Sequence, residues 1–293
     1  MSLSFTKMHG IGNDFVMVNG TAADIDLSEV GWQSLARAVC DRAFGIGADG
    51  LIVADKPGNE FRMRMWNPDG SESEMCGNGV RCFAWFLVDQ GLADEGEIPV
   101  ETLAGRLILQ TLPNRYVSVE MGRARLEAEE IGMVHRIDSD HSNLQVDLDG
   151  TSVEAVPVGM GNPHLVIFVD DASKIDVESH GKRLEFHPAF PERTNVHFVQ
   201  VQSRSRLLQR TWERGAGLTL ACGTGACAVA VAAIRRNLCD SPVSVELPGG
   251  VLSIAVDADD NVRMTGPTET VFEGQWAGRR GEWPDDHVFR NSP

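Results

Sequence analysis

Two cysteines occupy matching settings. Cys76 opens the run Cys-Gly-Asn-Gly and Cys222 opens Cys-Gly-Thr-Gly, and each run leads into an apolar segment. After Cys76, residues Val80, Phe83, Ala84 and Leu87 follow the i, i+3, i+4, i+7 spacing of a helix face, and Phe86 and Val88 make the segment apolar nearly all round. After Cys222, the stretch from Ala226 to Ile234 is apolar on every side. Both read as buried helices that begin at the cysteine. A thiol at a helix N-terminus lies near the positive end of the backbone dipole, which favours its thiolate. The first-turn N–H groups suit an anion such as a carboxylate. Glycines at 77, 79, 223 and 225 would let a ligand approach the backbone. Two acid/base groups flanking one carbon are what proton exchange with inversion requires: a thiolate removes the proton and a thiol delivers one to the opposite face. The alternative is a pair of unrelated buried cysteines; the matched glycine context and the repeat described next favour chemistry.

The elements that must position these residues are duplicated. Met65-Trp66-Asn67, followed ten residues on by Met75-Cys76-Gly77-Asn78-Gly79, recurs 146 residues later as Thr211-Trp212-Glu213 and Ala221-Cys222-Gly223-Thr224-Gly225. Val100–Gly105 meets Val245–Gly250 at a shift of 145, and Gly12-Asn13 echoes in Gly161-Asn162. Phe61–Trp66 and Arg206–Trp212 read as strands before the two helices. After them, Val100–Leu103, Arg106–Thr111 and Tyr116–Met121 in one half, and Val243–Leu247, Val251–Asp257 and Val262–Thr265 in the other, read as antiparallel meanders. The expected fold is α/β (α+β): two pseudo-symmetric duplicated domains, each a central buried helix wrapped by mixed, mostly antiparallel strands, with the active-site cleft between them. Expected boundaries are 1–125 for the first domain and 126–275 for the second, whose last strand is a candidate for completing the first. Residues 276–293 read as a polar tail.

Composition narrows the function classes. The 293 residues carry 26 Lys plus Arg against 42 Asp plus Glu, a formal net charge of −16. That surplus repels phosphate backbones and anionic lipid, so neither nucleic acid nor membrane is an expected partner. The longest apolar run, Ala226 to Ile234, is too short to cross a bilayer, and no secretory signal is readable at the N-terminus. Six cysteines in such a chain are too sparse for a disulfide scaffold. A cytoplasmic, reduced protein is expected.

The motifs Gly10-Ile11-Gly12-Asn13-Asp14-Phe15, Asn67-Pro68-Asp69-Gly70-Ser71, Met75–Cys82, Gly161-Asn162-Pro163-His164, Pro191–Val196, and Glu213–Gly217 with Ala221–Cys227 together resemble the diaminopimelate epimerases, from Lys7 to about Gly274. The resemblance implies interconversion of LL- and meso-2,6-diaminopimelate, in lysine and peptidoglycan precursor biosynthesis, with no cofactor and no metal, by a homodimer. It implies that Cys76 and Cys222 are the catalytic pair and that backbone N–H groups of Gly77, Asn78, Gly223 and Thr224 hold the reacting carboxylate. Asn13, Asn67, Asn162, Asn195, Glu213 and Arg214 match substrate-binding residues of the family, and His164 and Glu213 match residues that adjust the thiols. Two positions depart from the pattern: Gly50 stands where some members have a glutamine, and Leu218 replaces the commoner glutamate.

Other signals point elsewhere less well. Gly45-Ile46-Gly47-Ala48-Asp49-Gly50 fits a dinucleotide pattern, but the preceding Leu35–Arg42 reads as helix rather than strand, so a turn is expected. Cys76/Cys82 and Cys222/Cys227 lack zinc-type spacing, and Cys82 and Cys227 read as core. The lysines, at 7, 56, 174 and 182, sit in no motif for a pyridoxal Schiff base. The remaining alternatives are another reaction of the same superfamily, such as proline racemisation, and a thiol redox or metal-binding module.

Overall fold

In the computed structural model, which describes residues 2–21, 29–73, 76–134 and 144–277, the chain opens with a hairpin. Strand β1 (Leu3–Gly10) turns through Ile11 and Gly12, with φ of 49° and 86°, into β2 (Asn13–Asn19). Positive φ at both central residues is the geometry of a two-residue hairpin turn, which places Asn13 at its exit. Then follow α1 (Glu29–Cys40), β3 (Gly50–Asp55), β4 (Phe61–Trp66), β5 (Glu72–Ser73), α2 (Gly77–Asp89), β6 (Glu97–Thr102), β7 (Gly105–Leu112) and β8 (Tyr116–Arg123). The strands pair in the order β1-β2-β3-β4-β6-β7-β8, with β2–β3 and β4–β6 parallel and the others antiparallel. Each parallel step is bridged by a helix, as the geometry of such crossovers demands. Strand alternation sends Val16, Val18, Leu51, Val53 and Trp66 to α1, where Trp32 stacks on Trp66 at 5.5 Å. The other face carries α2, whose residues 77 to 87 are all buried.

The second unit repeats this plan. It contains α3 (Ala128–Ile131), β9 (Leu144–Leu148), β10 (Thr151–Gly159), β11 (Pro163–Phe168), α4 (Val177–Glu185), β12 (Asn195–Ser203), β13 (Arg206–Glu213), β14 (Gly217–Leu218), α5 (Gly223–Arg235), β15 (Val243–Leu247), β16 (Gly250–Val256) and β17 (Asn261–Pro267). Its order, β10-β11-β12-β13-β15-β16-β17, again has two parallel steps, β11–β12 and β13–β15. Val196, Phe198, Leu165, Ile167 and Trp212 face α4, while α5 covers the opposite face. The duplication reaches single dihedral angles. Cys76 caps α2 with φ −130° and ψ 118°, and Cys222 caps α5 with φ −133° and ψ 104°. Gln90 and Arg236 end the helices at φ −81° and −82°, followed by positive φ at Gly91 and Asn237.

The chain divides into one unit of Met1–Val119 with Pro267–Pro293 and another of Glu120–Gly266. The boundaries therefore stand at 119/120 and 266/267, where 125/126 and 275/276 were expected. The final strand β18 (Glu269–Trp276) pairs antiparallel with β1, Leu3 opposite Trp276. Trp276 is thus strand, not tail, and residues 278–293 of the expected tail lie outside the described residues. The dinucleotide-like run is a turn after α1 over 45–49, held by N–H bonds from Ile46 and Gly47 to the Val39 carbonyl, and its last residue, Gly50, opens β3. Among the described residues, no helix is long and apolar enough to cross a membrane.

Candidate active site

In the first unit the site gathers where the β1–β2 turn meets the start of α2. Cys76 is extended, so its side chain leaves the helix axis and its carbonyl accepts the first helical bond from Val80 N–H. The Cys76 Sγ–H donates to Asn13 Oδ1 at 3.5 Å, and Asn78 Nδ2 donates to the same oxygen at 3.2 Å. Asn13 Nδ2 donates to Asp49 Oδ2 at 2.7 Å, which fixes the sense of that amide: carbonyl toward the thiol, NH2 toward the carboxylate. Asp49 is in turn held by Arg42 at 2.7 Å and by the Asp14 backbone N–H. Burial opposes ionisation of Asp14, but the Arg42 and Lys7 cations outweigh it and hold its pKa down to about 2. Asn67 closes the turn after β4, donating to Ser71 Oγ at 3.0 Å. Arg81, fully buried on α2, donates to the Gly77 carbonyl at 3.0 Å and braces the first turn from beneath.

The second unit surrounds its cysteine with different groups. Cys222 is 5 % exposed, and its Sγ lies 3.9 Å from Thr224 Oγ1. His164, on β11, is wholly buried; its Nε2 bonds Asn162 Oδ1 at 2.7 Å and its Nδ1 bonds His197 Nε2 at 2.9 Å. Burial pushes the His164 pKa well below the usual histidine value, and the neighbouring His197 and the Arg214 cation oppose its protonation further. Burial likewise brings His197 down to about 3. Both rings are therefore neutral near pH 7, so His164 acts on its surroundings as a hydrogen-bonding dipole rather than as a charge. Asn195 is 3 % exposed, accepts from the Arg214 backbone N–H at 2.9 Å and donates to the Pro163 carbonyl at 2.9 Å. It ties the loop bearing Arg214 to the start of β11, beside His164. Arg214 itself donates to the Glu192 carbonyl at 3.1 Å, and Glu213 accepts from Thr219 Oγ1.

Packing adds a second reason for two of the glycines. Gly225 and Gly79 are crowded on the side a Cβ would take, Gly225 by an imidazole ring and Gly79 by the movable end of Ile52. A Cβ at 79 would meet Ile52 Cδ1 at 2.8 Å, and one at 225 would meet His197 Cε1 at 2.4 Å and Cys222 Sγ at 2.9 Å. Gly50 is likewise closed: a Cβ there would lie 2.9 Å from Met65 Cε and 3.1 Å from the Trp66 carbonyl. Leu218 is exposed beside Trp212 in the β13–β14 pair. Cys82 and Cys227 are buried in their helices, and burial raises the Cys82 pKa to about 12. Asp49 and His197 were missed in the sequence. Asp49 lies 36 residues from the amide it orients, and His197 reads as an ordinary strand position until its neighbours are known.

The family model and the sequence relatives agree on one family. Residues 5–127 and 156–271 match the family model described as diaminopimelate epimerase. The chain is 46% identical to the diaminopimelate epimerase of Halothermothrix orenii over 284 residues, covering 94% of this chain and 98% of that protein. It is 47% identical to that of Azotobacter vinelandii over 279 residues, covering 94% and 99%. Among solved structures, a phenazine biosynthesis PhzF family protein from Enterococcus faecalis superposes with a TM-score of 0.68 at 17% identity over 94% of this chain and 99% of that one. A hydroxyproline epimerase from Agrobacterium vitis gives 0.68 at 14% identity over 98% and 97%; at such identity these two likenesses speak for the fold alone. With the duplicated fold and both cysteine-headed helices in place, the matched segments and the identity along nearly the whole chain lead to one conclusion: the chain belongs to the diaminopimelate epimerase family.

Proposed function

We propose that this enzyme interconverts LL- and meso-2,6-diaminopimelate by two-base proton exchange at one α-carbon, with no cofactor. One of Cys76 and Cys222, as thiolate, takes the α-proton and becomes a thiol. The other, as thiol, gives its proton to the opposite face and becomes the thiolate, so the net change is inversion. The electron pair left on carbon spreads into the α-carboxylate, where preorganised N–H groups at Gly77, Asn78, Gly223 and Thr224 lower its energy. The Asn13 carbonyl, held toward Cys76 by Asp49, accepts the S–H hydrogen and so orients that sulfur. Asn67, Asn162, Asn195, Glu213 and Arg214 bind the rest of the substrate, directly or by holding a neighbour in place. Glu213, with His164, also sets the surroundings of the thiols.

The observation that carries this reading is the recurrence of one backbone conformation at two cysteines, each capping a buried helix in its own copy of the repeat. A net charge of −16 supports a small zwitterionic substrate over nucleic acid as partner, and a homodimer is the proposed assembly. The proposed location is the cytoplasm. The test is incubation with LL-diaminopimelate in heavy water. Deuterium at one α-position together with the meso product is the expected result; no exchange, or equal exchange with L-proline, would refute it.

A further inference from the structure

Beneath the start of α5 the second unit holds a buried row of polar side chains where the matching positions of the first unit are apolar. Gln209 Nε2 lies 2.9 Å from Thr211 Oγ1, Thr211 Oγ1 3.0 Å from His197 Nδ1, His197 Nε2 2.9 Å from His164 Nδ1, and His164 Nε2 2.7 Å from Asn162 Oδ1. His164, His197 and Gln209 have no exposed surface, and Thr211 is 3 % exposed. Strand register identifies the counterparts in the first unit. His164 pairs with Asn195 as Phe15 pairs with Gly50, and His197 pairs with Thr211 as Ile52 pairs with Met65. Val199 pairs with Gln209 as Ala54 pairs with Met63. The same fold therefore closes over Phe15, Ile52, Met63 and Met65, all buried, where the second unit spends four polar groups. Packing alone does not call for them, since a buried polar group stabilises a core no better than a well-fitted apolar one.

The bonds have one direction. The Asn162 carbonyl accepts, so His164 carries its proton on Nε2 and accepts at Nδ1. His197 must then donate from Nε2 and accept at Nδ1, where the Thr211 hydroxyl donates. That hydroxyl's oxygen accepts from the Gln209 amide NH2, whose Nε2 also lies 3.2 Å from His197 Nδ1. The Gln209 amide keeps this sense although its Oε1 is buried with no hydrogen-bond partner. Both ends of the row thus agree on one polarity. Reversal would require flipping both terminal amides and moving a proton on each ring.

We infer that Gln209, Thr211 and His197 are positioning residues that, through His164, fix the sense of the Asn162 amide, so that its NH2 rather than its carbonyl is offered to the ligand. Asn162 is half-buried, so the free end of its amide can be reached. An NH2 there accepts a carboxylate and rejects an ammonium, whereas the flipped amide would do the reverse. The row makes this position a carboxylate donor in a site that must tell the two ends of an amino diacid apart. The assignment to a substrate rests on the diaminopimelate reading; the polarity of the row does not.

Imidazole 15N NMR of the wild-type protein reads the polarity without any substrate. His164 and His197 are both expected as neutral Nε2–H tautomers at pH 8. A proton on Nδ1 of either ring overturns the inference. In Thr211→Val the hydroxyl is lost at nearly constant shape, so the His197 signal should become a tautomer mixture. KM for LL-diaminopimelate should rise three- to tenfold with kcat within about twofold, and Thr211→Ser should restore both. An unaltered KM and unaltered tautomers in Thr211→Val, or no rescue by serine, would overturn it. If the wild-type tautomers are as expected but no diaminopimelate is turned over, the substrate assignment falls and the fixed amide stands.

Discussion

Gly225→Ala would place a methyl carbon 2.4 Å from His197 Cε1, 3.0 Å from its Nε2 and 2.9 Å from Cys222 Sγ. Gly225 has no positive φ, so alanine is conformationally acceptable and gains about 0.5–1 kcal/mol of helix preference. The contact decides the outcome. To restore ordinary van der Waals distance the imidazole must withdraw by about 1 Å, yet it is tethered at both nitrogens, by His164 at 2.9 Å and Thr211 at 3.0 Å. Overpacking costs roughly 1–3 kcal/mol, and a hydrogen bond broken in a fully buried place about 1–3 kcal/mol more. A net loss of about 1–5 kcal/mol follows, or a fall of about 3–20 °C in the unfolding midpoint of a unit this size. The repeat supplies the control. At Gly79 the nearest atom is the terminal methyl of Ile52, at 2.8 Å, with Cys76 Cβ at 3.4 Å and Phe15 Cζ at 3.6 Å. That methyl can turn aside for about 0.5–1.5 kcal/mol, so Gly79→Ala should be nearly neutral. Urea and thermal unfolding of the two variants test the difference. A Gly225→Ala loss below about 1 kcal/mol, or an equal loss in Gly79→Ala, would refute the packing argument.

Four further outcomes are expected. Cys76→Ala and Cys222→Ala should each lower turnover at least a hundredfold, since a general acid or base contributes about 10²–10⁴-fold; a variant retaining more than about a hundredth of the wild-type rate would exclude the two-base scheme. Acid should destabilise the second unit. His164 and His197 stay neutral when folded near pH 7 but take up protons from an ordinary 6.5 when unfolded, so their stabilising contribution is whole above that pH and is lost as pH falls, for His197 toward 3. Between pH 7 and pH 5 the loss from His197 amounts to about 2 kcal/mol, His164 adds to it in the same direction, and an unchanged urea midpoint over that interval would contradict it. Asp49→Asn should free the Asn13 amide to rotate and lower kcat/KM about fivefold, the modest size following from a half-exposed carboxylate; steady-state kinetics equal to wild type would refute the orientation argument. Asn195→Ala should cut kcat/KM by about tenfold or more, chiefly through KM, because the Arg214 N–H and the Pro163 carbonyl both lose a buried partner; unchanged kinetics would mean that the Arg214 loop holds itself.

Much of this was legible in the residues. The strand Phe61–Trp66 and the strand Val243–Leu247 fall where alternation puts them, and both central helices start at their cysteines, because period and capping position are local properties. Strands β1, β2, β10 and β11 were not read. Their buried runs, such as Phe15–Val18 and Leu165–Ile167, are covered on both faces and so lack the two-residue alternation that marks a half-exposed strand. Helix α4 was missed although Asp176 caps it by accepting from Ser179 N–H, since its polar composition hides a narrow apolar face formed by Val177 and Leu184. The networks behind the site were the least legible. Asp49 reaches Asn13 across 36 positions and His197 reaches His164 across 33, and such contacts exist only after strands have paired.

The return of β18 to β1 has a consequence for how the protein is made. The first unit needs residues from both sides of a roughly 150-residue insertion, whereas the second is one uninterrupted stretch. A ribosome adding about 5–20 residues per second therefore releases every strand of the later unit before the earlier one receives its closing strand. For some 10–30 s the outer rim of β1 stays open to any neighbouring chain, so the part of the molecule translated first is the part that matures last.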